Sequence, residues 1–392
     1  MKRKIISFFK YNKIFVSIYT CIGNVLVAIF KIFVPVRNKQ ILFISFGGRK
    51  FDDSPKALYE AMKNDVFFKD YELIWAFDDP KKFEVKCKKI KVDTLKYYIV
   101  ALSSKIWISN SGVQRGLNLK RKKTIEVDTW HGTPLKKIGP DVKIQIAYKR
   151  GNRKNTGIYC AQSEFDREIF SRLFNTDKEN ILLSDLPRND SLLTYTDLEI
   201  KKIKKDLGIS EKKKIMLYAP TFREFDRDKL NACYISPPIN WDKWEQILGD
   251  RYVVLFRAHY EILKKFGVIN SAFVKDVSNY PCLNDLIMVS DMLISDYSSI
   301  YFDYSITEKP MMCFAYDKEI YTEHRGLYFN LEDVMPCKVN LNEDSLLEEI
   351  ISFSYQEYCE KTKLFKNKFA PKPGKACETV IKKIKEEIMK NE

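Results

Sequence analysis

The stretch Ser295-Asp296-Tyr297-Ser298-Ser299-Ile300-Tyr301-Phe302-Asp303 marks a junction between a strand and a helix. The apolar residues 292–295 predict a buried strand, and the helix that follows opens on two serines. Free backbone N–H groups at a helix N-terminus, together with serine hydroxyls, can bind an anion. This stretch therefore predicts a parallel α/β sheet with a phosphate-binding turn.

Short apolar strands alternate with amphipathic helices along most of the chain, which predicts parallel sheets covered on both faces. A helix is predicted at residues 54–62, with Ser54 as its cap and Pro55 in its first turn. The predicted strands form two series: 40–45, 71–76, 105–109, 124–128 and 157–161, then 214–219, 252–257, 292–295 and 310–314. We expect an α/β protein with two Rossmann-like, doubly wound domains and a cleft between them.

The length of 392 residues fits two domains of ordinary size with extensions. The break between them is placed near residues 186–210, where Pro187-Arg188-Asn189-Asp190 interrupts the pattern. The predicted segments are a basic amphipathic segment at 1–38, an N-terminal domain at 39–195, a C-terminal domain at 196–375 and a C-terminal helix at 376–392.

Ligands of open parallel sheets bind beyond the carboxyl ends of the strands. His131, one of three histidines, lies at such an end and is followed by Lys136. Near neutral pH its imidazole can accept a proton from a hydroxyl, although a structural histidine bonded within its own turn remains the alternative. Other polar segments at strand ends are 46–48, 220–223 and 257–259.

A second histidine, His259, follows a strand two residues after Arg257. The two side chains could hold a diphosphate, or the ring could simply close the end of the strand. Ser298 and Ser299 could cap their helix and bind phosphate at once. The remaining candidates for a substrate site are Thr221, Arg223, Asp296, Arg325 and Lys136.

The formal net charge of +15 raises nucleic acid as a partner. Residues 1–40 hold eight lysines and arginines and no acid, whereas the remaining charges alternate in sign as on solvated helices. We therefore expect no nucleic acid partner. The nine cysteines form no C-x-x-C pair, and Asp226-Arg227-Asp228 is interpreted as a solvated surface, so we expect no metal site.

Residues 14–30 carry no formal charge, and the polar residues around them fall on one helical stripe. Such a helix, flanked by basic residues, can lie in the headgroup layer of an anionic membrane. A membrane span and a helix packed on the protein itself are the alternatives. The residues predicted to face lipid are Phe15, Ile18, Ile22, Leu26, Ile29 and Phe30.

Two motifs together resemble the CDP-glycerol glycerophosphotransferase family of teichoic acid synthesis. They are Thr129-Trp130-His131-Gly132-Thr133-Pro134-Leu135-Lys136, and the stretch 295–303 with Lys309-Pro310. Further similar segments are 47–48, 54–56, 186–190, 219–223, 257–259 and 325–326, and the resemblance covers about residues 46–374. Asp128 and Cys337 depart from the usual family residues.

The resemblance implies a GT-B architecture with the acceptor in the N-terminal domain and the CDP-alditol in the C-terminal domain. By position, His131 is similar to the family's acceptor-side base, and His259, Ser298 and Ser299 to its donor diphosphate site. The implied reaction transfers glycerol phosphate from CDP-glycerol to a polyprenyl-diphosphate-linked glycan or teichoic acid, with CMP leaving. No metal or cofactor is implied, and the enzyme would attach peripherally to the cytoplasmic face of the cell membrane.

Three alternatives remain open at the level of sequence. A ribitol phosphotransferase would use CDP-ribitol in the same chemistry. A nucleotide-sugar glycosyltransferase of the same fold would release a nucleoside diphosphate. A non-catalytic protein could use its basic end to bind membrane or nucleic acid.

Overall fold

The computed structural model describes residues 13–142, 155–221, 223, 233–235, 238–258, 262–265 and 271–390. The chain divides into two compact units, each described separately below. The first comprises Met1–His131, Thr156–Cys160 and Cys377–Glu392, and the second Gly132–Asn155 and Ala161–Ala376. The predicted boundary between the two domains, after residue 195, lies inside the second unit. The division into an acceptor domain and a donor domain stays a prediction.

The first unit is built around a parallel sheet with the strand order β3-β2-β1-β4-β5-β6. Leu42 of its central strand pairs with Ile74 on one side and Trp107 on the other, and all three are fully buried. Its elements are α1 (Lys13–Phe33), β1 (Arg37–Ile44), α2 (Asp53–Lys63), β2 (Glu72–Phe77), β3 (Lys88–Lys91), α3 (Leu95–Ser103), β4 (Ser104–Ser109), β5 (Ile125–Asp128) and β6 (Ile158–Ala161), with a C-terminal helix at Ala376–Met389.

The long helix α1 packs on the first unit through the side that carries its polar residues. The Asn24 side chain accepts a hydrogen bond from the Asn118 backbone N–H at 2.8 Å, and Lys31 Nζ donates to the Asn118 carbonyl at 2.6 Å. Val27 is buried and Phe30 is half-buried against the same core. Asn24 and Lys31 of the polar stripe thus lie against the protein, which agrees with the alternative of a helix packed on the protein itself, and the prediction that Phe30 faces lipid stays a prediction.

The opposite side of α1 is apolar and exposed. Among the described residues, α1 supplies the one stretch long and apolar enough to cross a membrane, Ile14–Phe33. The exposed fractions are 41% for Phe15, 49% for Ile18, 57% for Ile22, 50% for Leu26 and 47% for Ile29. Five of the six residues predicted to face lipid thus lie on the surface of the unit.

The second unit contains a parallel sheet of six strands in the order β12-β10-β8-β13-β14-β15, with β9 and β11 paired separately. Its elements are α4 (Glu164–Phe174), β7 (Ile181–Leu183), α5 (Asp197–Asp206), β8 (Lys214–Tyr218), β9 (Cys233–Ile235), α6 (Trp241–Leu248), β10 (Tyr252–Phe256), β11 (Ile262–Lys265), β12 (Val274–Asp276), α7 (Leu283–Val289), β13 (Met292–Ser295), α8 (Ile300–Ser305), β14 (Met311–Phe314), α9 (Lys318–Arg325), α10 (Leu331–Val334), β15 (Val339–Asn340), α11 (Glu343–Ser352) and α12 (Tyr355–Phe369).

Both faces of this sheet are covered by apolar clusters, as expected for parallel strands. Along β8, Leu217 belongs to one cluster and Met216 to the other, because successive side chains point to opposite faces. Met216 pairs with Val254 of β10 and with Met292 of β13. The strand that precedes the quoted serines therefore lies at the centre of the sheet, which fixes the position of the turn that follows it.

The predicted strands of both series are confirmed within a few residues, and the fold class is an α/β protein with two parallel-sheet units. The strand β3 was not predicted, because its sequence Lys-Lys-Ile-Lys carries charges that an edge strand can expose. The helix predicted from Ser54 begins one residue earlier, and Asp52 at its cap makes no side-chain capping bond. The assignment of Ser54 as the cap was therefore wrong.

Candidate active site

His131 lies in an exposed turn that follows strand β5 of the first unit. Its ring stacks on that of Trp130, with centroids 4.2 Å apart and an interplanar angle of 28°. Trp130 has a φ of 50°, and its backbone N–H donates to the Asp128 carboxylate at 2.9 Å. The turn therefore holds the imidazole at the surface by stacking and by backbone geometry rather than by burial.

The tautomer of His131 follows from its hydrogen bond to Asn110. His131 Nδ1 lies 2.9 Å from the Asn110 carbonyl oxygen. A carbonyl only accepts, so Nδ1 of the neutral ring carries the proton and Nε2 carries the lone pair. A histidine oriented in this way can act as a general base through Nε2.

Asn110 also fixes the turn that follows strand β1. Its side-chain oxygen accepts from the Phe46 backbone N–H at 2.8 Å, and the Phe46 ring centroid lies 6.0 Å from that of His131. Asn110 is fully buried. One residue thus joins the ends of β1 and β4 to the histidine, and neither motif nor spacing marked it in the sequence.

The turn with Ser298 and Ser299 begins the short helix α8 of the second unit. The Ile300 backbone N–H donates to Ser298 Oγ at 3.3 Å, whereas Ser299 occupies the cap position without a side-chain capping bond. Gly132 lies against this turn. A Cβ at Gly132 would lie 3.0 Å from Ser299 Oγ, and its φ of 137° is one that residues with a side chain rarely adopt. Glycine therefore permits the close approach of the residue that follows His131 to the serine turn.

Arg223 and Asp296 are buried partners of each other in the second unit. Arg223 Nη1 lies 2.9 Å from Asp296 Oδ2, and its Nε and Nη2 lie 2.6 and 2.9 Å from the two carboxylate oxygens of Asp317. The exposed fraction is 5% for Arg223 and 1% for Asp296. These contacts are enough to hold the two side chains in place. That Arg223 and Asp296 bind substrate stays a prediction.

Thr221 lies beside this ion pair. Its backbone N–H donates to Asp296 Oδ1 at 2.8 Å. Its hydroxyl is buried and has no hydrogen-bond partner among the residues that the structure describes.

At the end of β10, Arg257 Nη1 donates to the Tyr280 carbonyl at 2.9 Å, so this guanidinium helps to hold the neighbouring loop.

The structure brings Lys136 and Arg325 to one strip of the second unit. Lys136 forms an antiparallel bridge with Leu327, and the Lys137 backbone N–H donates to the Gly326 carbonyl at 3.1 Å. Arg325 is the last residue of α9, directly before Gly326. The backbone segments that contain these two predicted substrate-binding residues thus pair with each other, although the residues are far apart in the sequence.

A buried polar network in the second unit was missed in the sequence. Arg188 Nη2 lies 2.7 Å from Asp303 Oδ2, and Asn189 Nδ2 donates to Asp303 Oδ1 at 3.0 Å. Thr133, Gln162, Asp166 and Asp185 continue it. Burial raises the pKa of the Asp166 carboxyl to about 7 and that of Asp185 to about 6. The family-like segment 186–190 was the only signal for this network, because the partners come from separate segments.

His259, the second predicted catalytic residue, lies outside the described residues, and so does Asp226-Arg227-Asp228. Within the described part of the chain, no group of three or more His, Cys, Asp or Glu side chains could hold a metal ion. A reaction without a metal or cofactor stays a prediction.

Two parallel-sheet α/β units with these turns define a GT-B-like protein. The structure is similar to that of a variant of the wall teichoic acid polymerase TagF soaked with CDPG, with a TM-score of 0.81 and 30% identity. The match covers 96% of this chain and 97% of the TagF chain.

Residues 26–386 match the model of the CDP-glycerol:poly(glycerophosphate) glycerophosphotransferase family. The chain belongs to this family of transferases, as the sequence analysis predicts.

Two relatives show how this chain compares with whole family members. It is 31% identical over 377 residues to the teichoic acid glycerol-phosphate transferase of Staphylococcus aureus, covering 90% of this chain and 96% of the relative. It is 34% identical over 352 residues to the teichoic acid poly(glycerol phosphate) polymerase of Staphylococcus epidermidis. That match covers 85% of this chain but only 48% of the polymerase, so the chain spans about half the length of this relative.

Proposed function

We propose that this protein transfers glycerol phosphate from CDP-glycerol to a hydroxyl of a membrane-bound acceptor and releases CMP. The acceptor would be a polyprenyl-diphosphate-linked glycan or a teichoic acid chain. Family membership supports the donor, and the apolar surface of α1 supports an acceptor held at a membrane.

The observation that carries the proposal is the hydrogen bond between His131 Nδ1 and the Asn110 carbonyl. It leaves Nε2 as the proton acceptor, and the exposure of the turn gives a hydroxyl access to the ring. His131 would remove the proton of the acceptor hydroxyl as that oxygen attacks the phosphorus bearing glycerol. The bond from this phosphorus to the oxygen of the CMP phosphate breaks, and CMP leaves with the electron pair.

On the donor side, the proposal assigns the diphosphate to His259, Arg257, Ser298 and Ser299. Phosphoryl transfer depends mainly on positioning and on neutralising charge, which hydroxyls, backbone N–H groups and a guanidinium can supply. Thr221, Arg223 and Asp296 would shape the same region, Arg223 and Asp296 through their mutual ion pair. Lys136 and Arg325 would contribute positive charge.

At the membrane, the proposal gives α1 the role of a peripheral anchor on the cytoplasmic face. Its polar side is taken up by the first unit, so the apolar side that carries Ile18, Ile22 and Leu26 would enter the lipid. Basic residues near the N-terminus would add attraction to anionic headgroups.

The test is CMP release by the purified protein, incubated with CDP-glycerol or CDP-ribitol and a lipid-linked acceptor. Release from CDP-glycerol, dependent on the acceptor and lost in His131→Ala, would support the proposal. Release of CMP from CDP-ribitol but not from CDP-glycerol would show that the protein is a ribitol phosphotransferase instead. Release that is unchanged in His131→Ala would contradict the role of this residue.

A further inference from the structure

Four buried side chains of the second unit form a continuous polar chain just after His131. Thr133 Oγ1 lies 2.9 Å from Gln162 Oε1 and 2.9 Å from Asp166 Oδ2. Gln162 Nε2 donates to Asp185 Oδ1 at 2.9 Å. The exposed fractions are at most 2% for all four residues. Thr133 therefore ties the segment that begins at Gly132 to helix α4 and to the loop after β7.

The protons available for hydrogen bonds among these four side chains can be counted. A threonine hydroxyl has one proton to donate, whereas an amide oxygen and an ionised carboxylate only accept. If Thr133 donates to Gln162 Oε1, its contact with Asp166 needs a proton on that carboxyl. With the Gln162 oxygen in this position, both 2.9 Å contacts are satisfied together only when Asp166 is protonated.

Turning the Gln162 amide over does not remove the need for this proton. The amide nitrogen would then donate to Thr133, which would donate to Asp166, but Gln162 Oε1 would face Asp185 and require a proton there. Asp185 Oδ1 already accepts from the Leu186 backbone N–H at 2.6 Å and from Asn189 Nδ2 at 3.3 Å, so it is placed as an acceptor. Asp166 Oδ2 also accepts, from the Gln162 backbone N–H at 2.8 Å, so the contacts require one proton in the chain without choosing between the two carboxyls. Burial raises the pKa of Asp166 to about 7 and that of Asp185 to about 6, which favours Asp166 as the site of this proton.

The surroundings of Asp166 agree with a neutral carboxyl. Its Oδ1 is buried and has no hydrogen-bond partner among the described residues, which would be costly for an ionised group. The charges acting on it are the carboxyls of Asp185 and Asp303, the latter paired with Arg188. Burial, with these two carboxyls, raises the pKa of Asp166 to about 7.

We propose that Asp166 and Thr133 are positioning residues, and that one proton shared in the Asp166–Thr133–Gln162–Asp185 chain holds the loop behind His131 in its active position. This inference rests on the proposed role of His131. When the proton is lost, the Thr133 hydroxyl turns to the carboxylate and Gln162 Oε1 loses its donor. The segment that follows His131 is then tied to helix α4 alone, and turnover falls.

The first test is the matched pair Thr133→Val and Thr133→Ser, assayed by CMP release. Valine keeps the volume but removes the hydroxyl, so we expect kcat to fall about tenfold or more with the KM for CDP-glycerol little changed. Serine keeps the hydroxyl and should restore most of kcat. Equal kcat values for the valine and serine variants would overturn the positioning role.

The second test is the pH dependence of Asp166→Asn, which is neutral at every pH. In the wild type, kcat should fall about tenfold between pH 7 and 9, as Asp166 ionises. In the asparagine variant, this fall in kcat on the alkaline side should be absent. An unchanged alkaline limb would show that the proton is not on Asp166.

A third measurement does not depend on activity. The folded pKa of Asp166 lies above its value of about 3.9 in the unfolded chain, so its contribution favours folding at low pH and is lost as the pH rises through about 7. The unfolding temperature of Asp166→Asn should therefore rise relative to that of the wild type between about pH 4 and 7, and the difference should level off above pH 7. A difference in unfolding temperature that does not change with pH would overturn the proposal, even if no CDP-alditol is a substrate. If Asp166→Asn does not fold, the comparison of Thr133→Val with Thr133→Ser decides.

Discussion

The Nδ1 atom of His131 lies 2.9 Å from the backbone carbonyl oxygen of Asn110. This contact assigns the proton of the neutral ring to Nδ1 and the lone pair to Nε2. Because the acceptor is a backbone atom, no side-chain substitution at position 110 removes it directly. The orientation of the histidine thus depends on how the end of β4 meets the turn after β5.

We expect His131→Ala to lower kcat by about 10²- to 10⁴-fold, the usual contribution of a general base. Donor binding should persist, since the proposed base acts on the acceptor. CMP release and equilibrium binding of CDP-glycerol measure the two effects. His324→Ala is the matched control, because His324 lies exposed in the last turn of α9 and should leave both values unchanged. Loss of donor binding with His131→Ala would contradict the assignment.

Arg223→Met should lower the free energy of unfolding by about 3–5 kcal/mol, because it leaves the buried Asp296 and its neighbour Asp317 without their cation. Denaturant unfolding provides the measurement. Arg172→Met removes a comparable two-point contact, to Asp141, on a half-exposed surface and should cost less than about 1 kcal/mol. A stable Arg223→Met protein that binds CDP-glycerol weakly would instead favour a direct role in substrate binding.

Gly132→Ala should reduce turnover and cost about 1–3 kcal/mol, because the added Cβ meets Ser299 at a φ of 137°. Gly112→Ala is the comparison, since Gly112 also has a positive φ of 82° but no atom within 4 Å of an added Cβ. Both variants carry backbone strain, and only the first carries the contact. Similar kcat values for the two would show that the approach to the serine turn is unimportant.

Leu26→Asp should weaken binding to vesicles that contain anionic lipid by about tenfold or more, because a leucine that enters an apolar phase contributes roughly 1.5–3 kcal/mol. Vesicle co-sedimentation is a suitable assay. Leu198→Asp, the same change at an exposed leucine of α5, is the control. Equal binding of both variants and the wild type would rule out α1 as the anchor.

The sequence predicted the central strands of both sheets because parallel strands buried on both faces are continuous apolar runs, such as residues 292–294. It missed the edge strands β3 and β12, which carry charges, and β15, whose two residues are too few to form a pattern. The two motifs around His131 and Ser298 indicated the family directly. The partners of these residues were not indicated in the same way.

What the sequence determined by itself is the alternation of strands and helices, the turns at strand ends and the apolar surface of α1, because all of these are local patterns of hydrophobicity and turn residues. Only the tertiary structure decided that Arg223 pairs with Asp296, 73 residues away, and Arg188 with Asp303, 115 residues away. It also decided that Asn24 and Lys31 of α1 face the protein. The physical reason is that a buried charge or hydroxyl takes its partner from whichever segment packing brings within about 3 Å, and no periodicity along the chain records that choice.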